Sequence, residues 1–215
     1  MQPTSSKKQS PNHKNKSYHH GNLRQALLDA ALDIIAENGL SALTLRQAAS
    51  RAGVSHAAPK RHFASVSDLY AAIAEDGYCK LRNYLQERIA KRSDASLSQV
   101  LAILGVAYVE FAIANPALFR AMFHSALADR STPHSVEVAA GETLDILVST
   151  IEQGQEAGVI RKSYAPDLAL CAWSLVHGLA ILSVDRQISN RRFSSEDPLK
   201  LARELVEQFY LGLRP

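Results

Sequence analysis

The chain has little of what a covalently braced, membrane-spanning or metal-dependent protein needs. It has two cysteines in 215 residues, Cys79 and Cys171. They lie far apart in apolar helical patterns, so reduced core thiols are expected rather than a disulfide. No stretch reaches roughly 18 uninterrupted apolar residues, so no membrane span is expected. The polar N-terminus lacks the apolar segment of a secretory signal. His13, His19 and His20 have no ligand set at site spacing, so no metal site is expected. There is no nucleophile–base spacing, no metal quartet and no phosphate-cradling loop, which argues against an enzyme and against a cofactor. Strand patterns, internal repeats and heptads are also missing, so the expected architecture is all-α.

Net charge is only +3, but it is unevenly placed. Residues 1–66 hold nine Lys/Arg against three acids, a net of +6, and the remainder is −3. A basic N-terminal third on a mildly acidic body suggests one end that meets a polyanion. Residues 1–18 carry Lys7, Lys8, Lys14 and Lys16 without apolar periodicity and are expected to be a disordered basic tail.

The most informative stretch is Thr44 to Phe63, TLRQAASRAGVSHAAPKRHF. Thr44 can cap a helix carrying Leu45, Ala48, Ala49 and Ala52 at helical spacing. Gly53 suits a turn with positive φ, and Ser55 can cap a second helix running to about His62. Pro59, the fourth residue after that cap, predicts an irregular start. The second helix carries His56, Lys60, Arg61 and His62, with Arg46 nearby, and no carboxylate lies between Gly53 and Ser67. Helix, glycine turn and basic helix form a helix-turn-helix plan whose second helix enters the DNA major groove. Before it, a helix from about Asn22 to Asn38 shows a broad apolar face. After it, Ser67–Asp68 is expected to cap a long helix to Lys91, followed by helices at Leu97–Ala114, Ala117–Phe123, Val136–Ala157, Asp167–Asp185 and Pro198–Leu213. Asp129–Pro133 and Ser189–Asp197 read as loops.

Residues 20–82, with the run ENG, LTLRQAASRAGVS and RHF, resemble the N-terminal DNA-binding domain of the TetR family of bacterial transcriptional regulators. YVEFAIANPALFRAMF (108–123) and Trp173 with His177–Gly178 resemble the WHG-type C-terminal domain of that family. The resemblance implies a helix-turn-helix domain at 19–66, with its motif at 44–63, and a ligand-binding and dimerisation bundle at 67–215. It further implies a cytoplasmic homodimeric repressor, released from a palindromic operator by a small-molecule effector.

Carried over residue by residue, Thr44, Ser55 and His62 match phosphate-contacting positions. Arg46, His56, Ala57 and Lys60 match or neighbour base-reading ones, and Ala58 and Arg61 complete the DNA-binding set. Lys60 stands where the family usually has Tyr, and Val66 where many members have Lys, which bears on operator sequence and affinity. The effector pocket is expected among Tyr108, Phe111, Phe119, Met122, Phe123, Trp173 and His177. His177–Gly178 at a helix centre suggests close helix approach or room for a ligand. The expected dimer interface is the last two helices, the final one bearing Leu201, Leu205, Val206, Phe209 and Leu213. Two other classes stand beside this reading: an all-α enzyme using His124 or His177 as a base, and a non-specific DNA or scaffold protein.

Overall fold

The computed structural model describes residues 23–124, 133–188 and 195–215. The expected basic tail, His13, His19, His20 and most of the two expected loops lie outside the described residues. Those residues form eight α-helices and two short 3-10 turns, with no strand among them.

Helix α1 (Leu23–Asn38) buries Leu27, Leu28, Ala30, Ala31, Ile34 and Ile35. A 3-10 turn at Leu40–Ala42 leads to α2 (Leu45–Arg51), which Thr44 caps by accepting the Gln47 N–H at 3.1 Å. Gly53, at φ +71°, closes α2. The Val54 N–H reaches the Ala49 carbonyl and the Gly53 N–H that of Ser50, so two otherwise orphaned carbonyls are satisfied.

The next segment departs from expectation. Residues 55–62 form no α-helix; they hold a 3-10 turn at Ala58–Arg61, entered through Ala57 with no side-chain cap. Ser55 contributes its carbonyl to the Ala58 N–H, not a hydroxyl cap. The cause is Pro59, which has no N–H to give and would crowd the Ser55 carbonyl in an α-helix. Pro59 is itself fully buried, and its carbonyl takes the N–H groups of both His62 and Phe63.

Helix α3 (Val66–Ala90) is the spine. Its cap is Ser65, not Ser67: the Ser65 hydroxyl accepts from the Asp68 N–H, and Asp68 accepts from the Ser65 N–H at 2.9 Å. Helix α3 packs against α4 (Leu97–Ala114), α5 (Pro116–Met122) and α6 (His134–Glu156). Gly77 is where α5 comes closest, because a Cβ there would lie 2.6 Å from Met122 Cγ. Helix α4 is apolar nearly all round because it is the central helix, lying against α3, α7 (Ala165–Val184) and α8 (Pro198–Leu213). Length and composition alone would let α4 or α7 cross a membrane, but half of α4 is buried inside the fold. Asp197 and Pro198 start α8, with the Asp197 carboxylate accepting the Leu199 N–H at 2.9 Å.

Candidate nucleic-acid interface and its linked cavity

Across the turn at Gly53, α2 packs against the 3-10 turn, and the outward residues of these two elements make up one rim. Thr44, Arg46, Ser55, His56, Ala57, Lys60, Arg61 and His62 are exposed there, with Ala58 half-buried. Buried Ala48, Ala49, Pro59 and Phe63 hold the rim from beneath. Among the described residues, Arg46, Lys60 and Arg61 make no ion pair, whereas Arg51 is paired with Glu37 on the flank of α1. That pairing draws the Glu37 carboxyl below the usual carboxylate range, the Arg51 hydrogen bond being the main cause. The Thr44 hydroxyl is engaged with Gln47, as acceptor and as donor. Val66, the first residue of α3, packs against the core rather than projecting a cation. Unpaired cations on an exposed rim without carboxylates suit a phosphate backbone.

The second site is a cavity of about 260 Å³ between α3, α4, α6, α7 and α8. It is lined chiefly by leucines, valines and aromatic rings, including Leu81, Leu85, Leu101, Leu104, Leu144, Leu147, Phe123, Trp173 and Phe209. Of the residues expected there, Tyr108 and Trp173 line it, as does Phe123. Phe111, Phe119 and Met122 do not. Phe111 packs on Tyr84, fully buried Phe119 on Tyr108, and Met122 on Gly77. His177 stands just behind the lining. Its Nδ1 is 2.9 Å from the Tyr108 hydroxyl, which also accepts the Trp173 indole N–H at 3.1 Å. Burial pushes the Tyr108 phenol up and the His177 imidazole down. In the neutral Nε2–H tautomer of His177, Nδ1 accepts a hydrogen bond from the Tyr108 hydroxyl. Gly178 is exposed, and an added Cβ there would meet nothing within 4 Å, so no helix of the same chain approaches it closely.

Tyr78 also lines the cavity and had not been expected there. In the sequence it lies one residue past Gly77, off the row of Leu69, Ile73, Leu81 and Leu85, and nothing around it hints at a lining role.

Cavity and rim are physically connected. Phe123 lines the cavity and packs edge-on to His177 at 4.4 Å between centroids. The next residue, His124, stacks on Tyr70 of α3 at 4.7 Å with the rings 4° from parallel. The Tyr70 hydroxyl donates to the Leu40 carbonyl at 2.5 Å, in the turn that leads into α2.

A basic helix-turn-helix rim on an all-helical bundle with an internal cavity defines a DNA-binding regulator, and comparison with known proteins agrees. The family described as "Bacterial regulatory proteins, tetR family" matches residues 27–73, and "Tetracyclin repressor-like, C-terminal domain" matches residues 101–209. The chain belongs to the TetR family of bacterial transcriptional regulators. It is 33% identical to the HTH-type transcriptional regulator BetI of Klebsiella pneumoniae (strain 342) over 144 residues, which is 63% of this chain and 74% of that protein. A protein of unknown function from Rhodococcus sp. RHA1 shares the fold at TM-score 0.80 and 30% identity, over 93% of this chain and 100% of the other. A tetR-family regulatory protein from Rhodococcus RHA1 shares it at TM-score 0.69 and 23% identity, over 88% and 96%.

Proposed function

We propose that this DNA-binding regulator is a cytoplasmic repressor, with no catalytic activity, that leaves a palindromic operator when a small molecule fills the cavity. The rim formed by Thr44, Arg46 and residues 55–62 meets DNA, and the bundle from residue 67 onward binds the effector and dimerises. The observation that carries the effector part is the line Phe123–His124–Tyr70–Leu40 from cavity wall to helix-turn-helix. A ligand that moves Phe123 shifts the ring stacked on Tyr70 and so biases where α2 sits. Two copies in altered register no longer fit two half-sites one helical turn apart.

The dimer reading rests on α7 and α8. Leu170 is 51% exposed, Leu175 41%, Leu182 42% and, on α8, Leu211 51%. Cys171, Ser174 and Gly178 lie exposed among them on α7, small residues that let a second helix approach. So much apolar side chain on one face suits burial against a second copy.

The test is selection of duplexes from a random pool, followed by light scattering of the complex and exposure to small-molecule extracts of the host. Recovery of a palindrome bound by two copies and released by an extract fraction supports the reading. A specific complex that no fraction releases removes the effector part, and recovery of no common sequence removes the operator.

A further inference from the structure

The lining of the cavity defines a ligand class. Among the described residues no lining side chain carries a charge. A carboxylate or ammonium entering would shed its water without gaining a counter-ion. The polar lining groups are few, and most are already engaged. The Thr143 hydroxyl donates within hydrogen-bond reach of the Ala139 carbonyl at 2.7 Å and the Tyr78 carbonyl at 3.2 Å. The Trp173 N–H and the Tyr108 hydroxyl are used by one another and by His177. Among the described residues every sealed side-chain polar atom has a partner.

Tyr78 is the exception among these groups. Its ring is held edge-on to Phe123 at 5.9 Å, yet its hydroxyl has no hydrogen-bond partner among the described residues and is not sealed off. Burial pushes this phenol up to about 12, so it keeps its proton at neutral pH and is a donor.

Resting on the reading of this cavity as the effector site, we propose that it takes a small, neutral, mostly apolar molecule with one hydrogen-bond acceptor, such as a carbonyl or ether oxygen, which the Tyr78 hydroxyl engages. A volume of about 260 Å³ lies just below the roughly 300–1,000 Å³ of ordinary ligand pockets, which suits a small molecule. Tyr78 sits on α3 two turns beyond Tyr70, so the same contact grips the helix that carries the Leu40 hydrogen bond.

The full chain is titrated by calorimetry with four probes: octan-2-one, ethylbenzene, octanoate and octyltrimethylammonium. Trp173 is the only tryptophan and lines the cavity, so its emission reports where each probe sits. Octan-2-one is expected to bind saturably and change Trp173 emission, and the two ions to show no saturable binding. Tyr78→Phe should weaken octan-2-one about 3- to 10-fold, the worth of one hydrogen bond, and leave ethylbenzene unchanged. Ala140→Phe, which fills the cavity from α6, should abolish binding of both neutral probes. The ligand class is overturned, with the effector site intact, if either ion binds as tightly as octan-2-one and is lost in Ala140→Phe. It is also overturned if Tyr78→Phe leaves octan-2-one affinity unchanged. If no probe binds, or binding survives Ala140→Phe with Trp173 emission unmoved, the cavity itself fails as the effector site.

Discussion

Replacing Tyr108 with Phe removes one oxygen and strands two groups. The Tyr108 side chain is 7% exposed, and its hydroxyl joins the Trp173 N–H at 3.1 Å to His177 Nδ1 at 2.9 Å. The ring stays in place against Phe119, so apolar packing is conserved and the loss is almost wholly hydrogen bonding. A buried donor or acceptor left without a partner costs about 1–3 kcal/mol. Trp173 and His177 are only half-buried, so water recovers part of this, and the sum should be about 2–4 kcal/mol. For a chain of this size that lowers Tm by about 4–15 °C. The assay is thermal unfolding at one fixed protein concentration, because any self-association would make Tm concentration-dependent. Tyr108→Phe, His177→Phe and the double variant complete a cycle. Once one partner is gone the other has less to lose, so the double variant should lose at least ~0.5 kcal/mol less than the sum of the singles. A Tm within about 1 °C of the parent for Tyr108→Phe, or strict additivity, refutes the idea that this network braces the cavity wall.

Gly77→Ala should destabilise by about 1–3 kcal/mol, since its Cβ would fall 2.6 Å from Met122 Cγ and 2.7 Å from the sulfur in a filled core. Placed on a Met122→Ala background the same change should cost less, and denaturant midpoints compare the two backgrounds. Because burial holds the His177 pKa below its ordinary value, the unfolded chain binds a proton there that the native chain refuses. Its contribution is therefore complete above about pH 6.5 and is lost as pH falls through the lowered native value, with a slope of at most about 1.4 kcal/mol per pH unit. His177→Gln should flatten the stability profile below about pH 6.5, and an identical profile counts against a neutral His177. Tyr70→Phe removes the hydrogen bond to the Leu40 carbonyl, worth about 0.5–1.5 kcal/mol. It should leave ligand affinity for the cavity nearly intact while reducing ligand-induced release from DNA, and undiminished release means the signal travels by another route.

The helices were legible wherever the chain carries its own punctuation. Leu97–Ala114 and Pro198–Leu213 fall where the sequence placed them, because Asn115–Pro116 and Asp197–Pro198 stop and start helices for local chemical reasons. Thr44 and Gly53 were equally readable, one by its hydroxyl and the other by its freedom at positive φ. In the segment 55–62 a cap-like Ser55 suggests an α-helix with an irregular start, but the missing N–H of Pro59 leaves only a 3-10 turn. At the next boundary, Ser65 and Ser67 are chemically alike, and only the three-residue spacing to Asp68 separates them. The cavity was the least legible part. Phe111, Phe119 and Met122 differ from Phe123 and Trp173 not in kind but in which neighbours fill the space beside them, and that depends on how five helices meet. Nothing local marks Tyr78 as a lining tyrosine whose hydroxyl has no partner among the described residues.

Whether the rim bearing Arg46 and Lys60 reads DNA is decided by titrating a labelled duplex from upstream of the gene, or one selected from random pools, with excess unrelated DNA present over a range of salt. A discrete complex of two copies is expected to survive the competitor and to weaken in Lys60→Ala. Loss of one cation per subunit at the DNA should reduce the salt slope of log K by up to about 2. Arg46→Ala should weaken binding to the operator more than binding to unrelated duplex, because a base contact carries sequence information. A complex dispersed by the competitor on every duplex tried, or one whose affinity and salt slope are unchanged in both variants, would contradict the assignment of this rim to DNA.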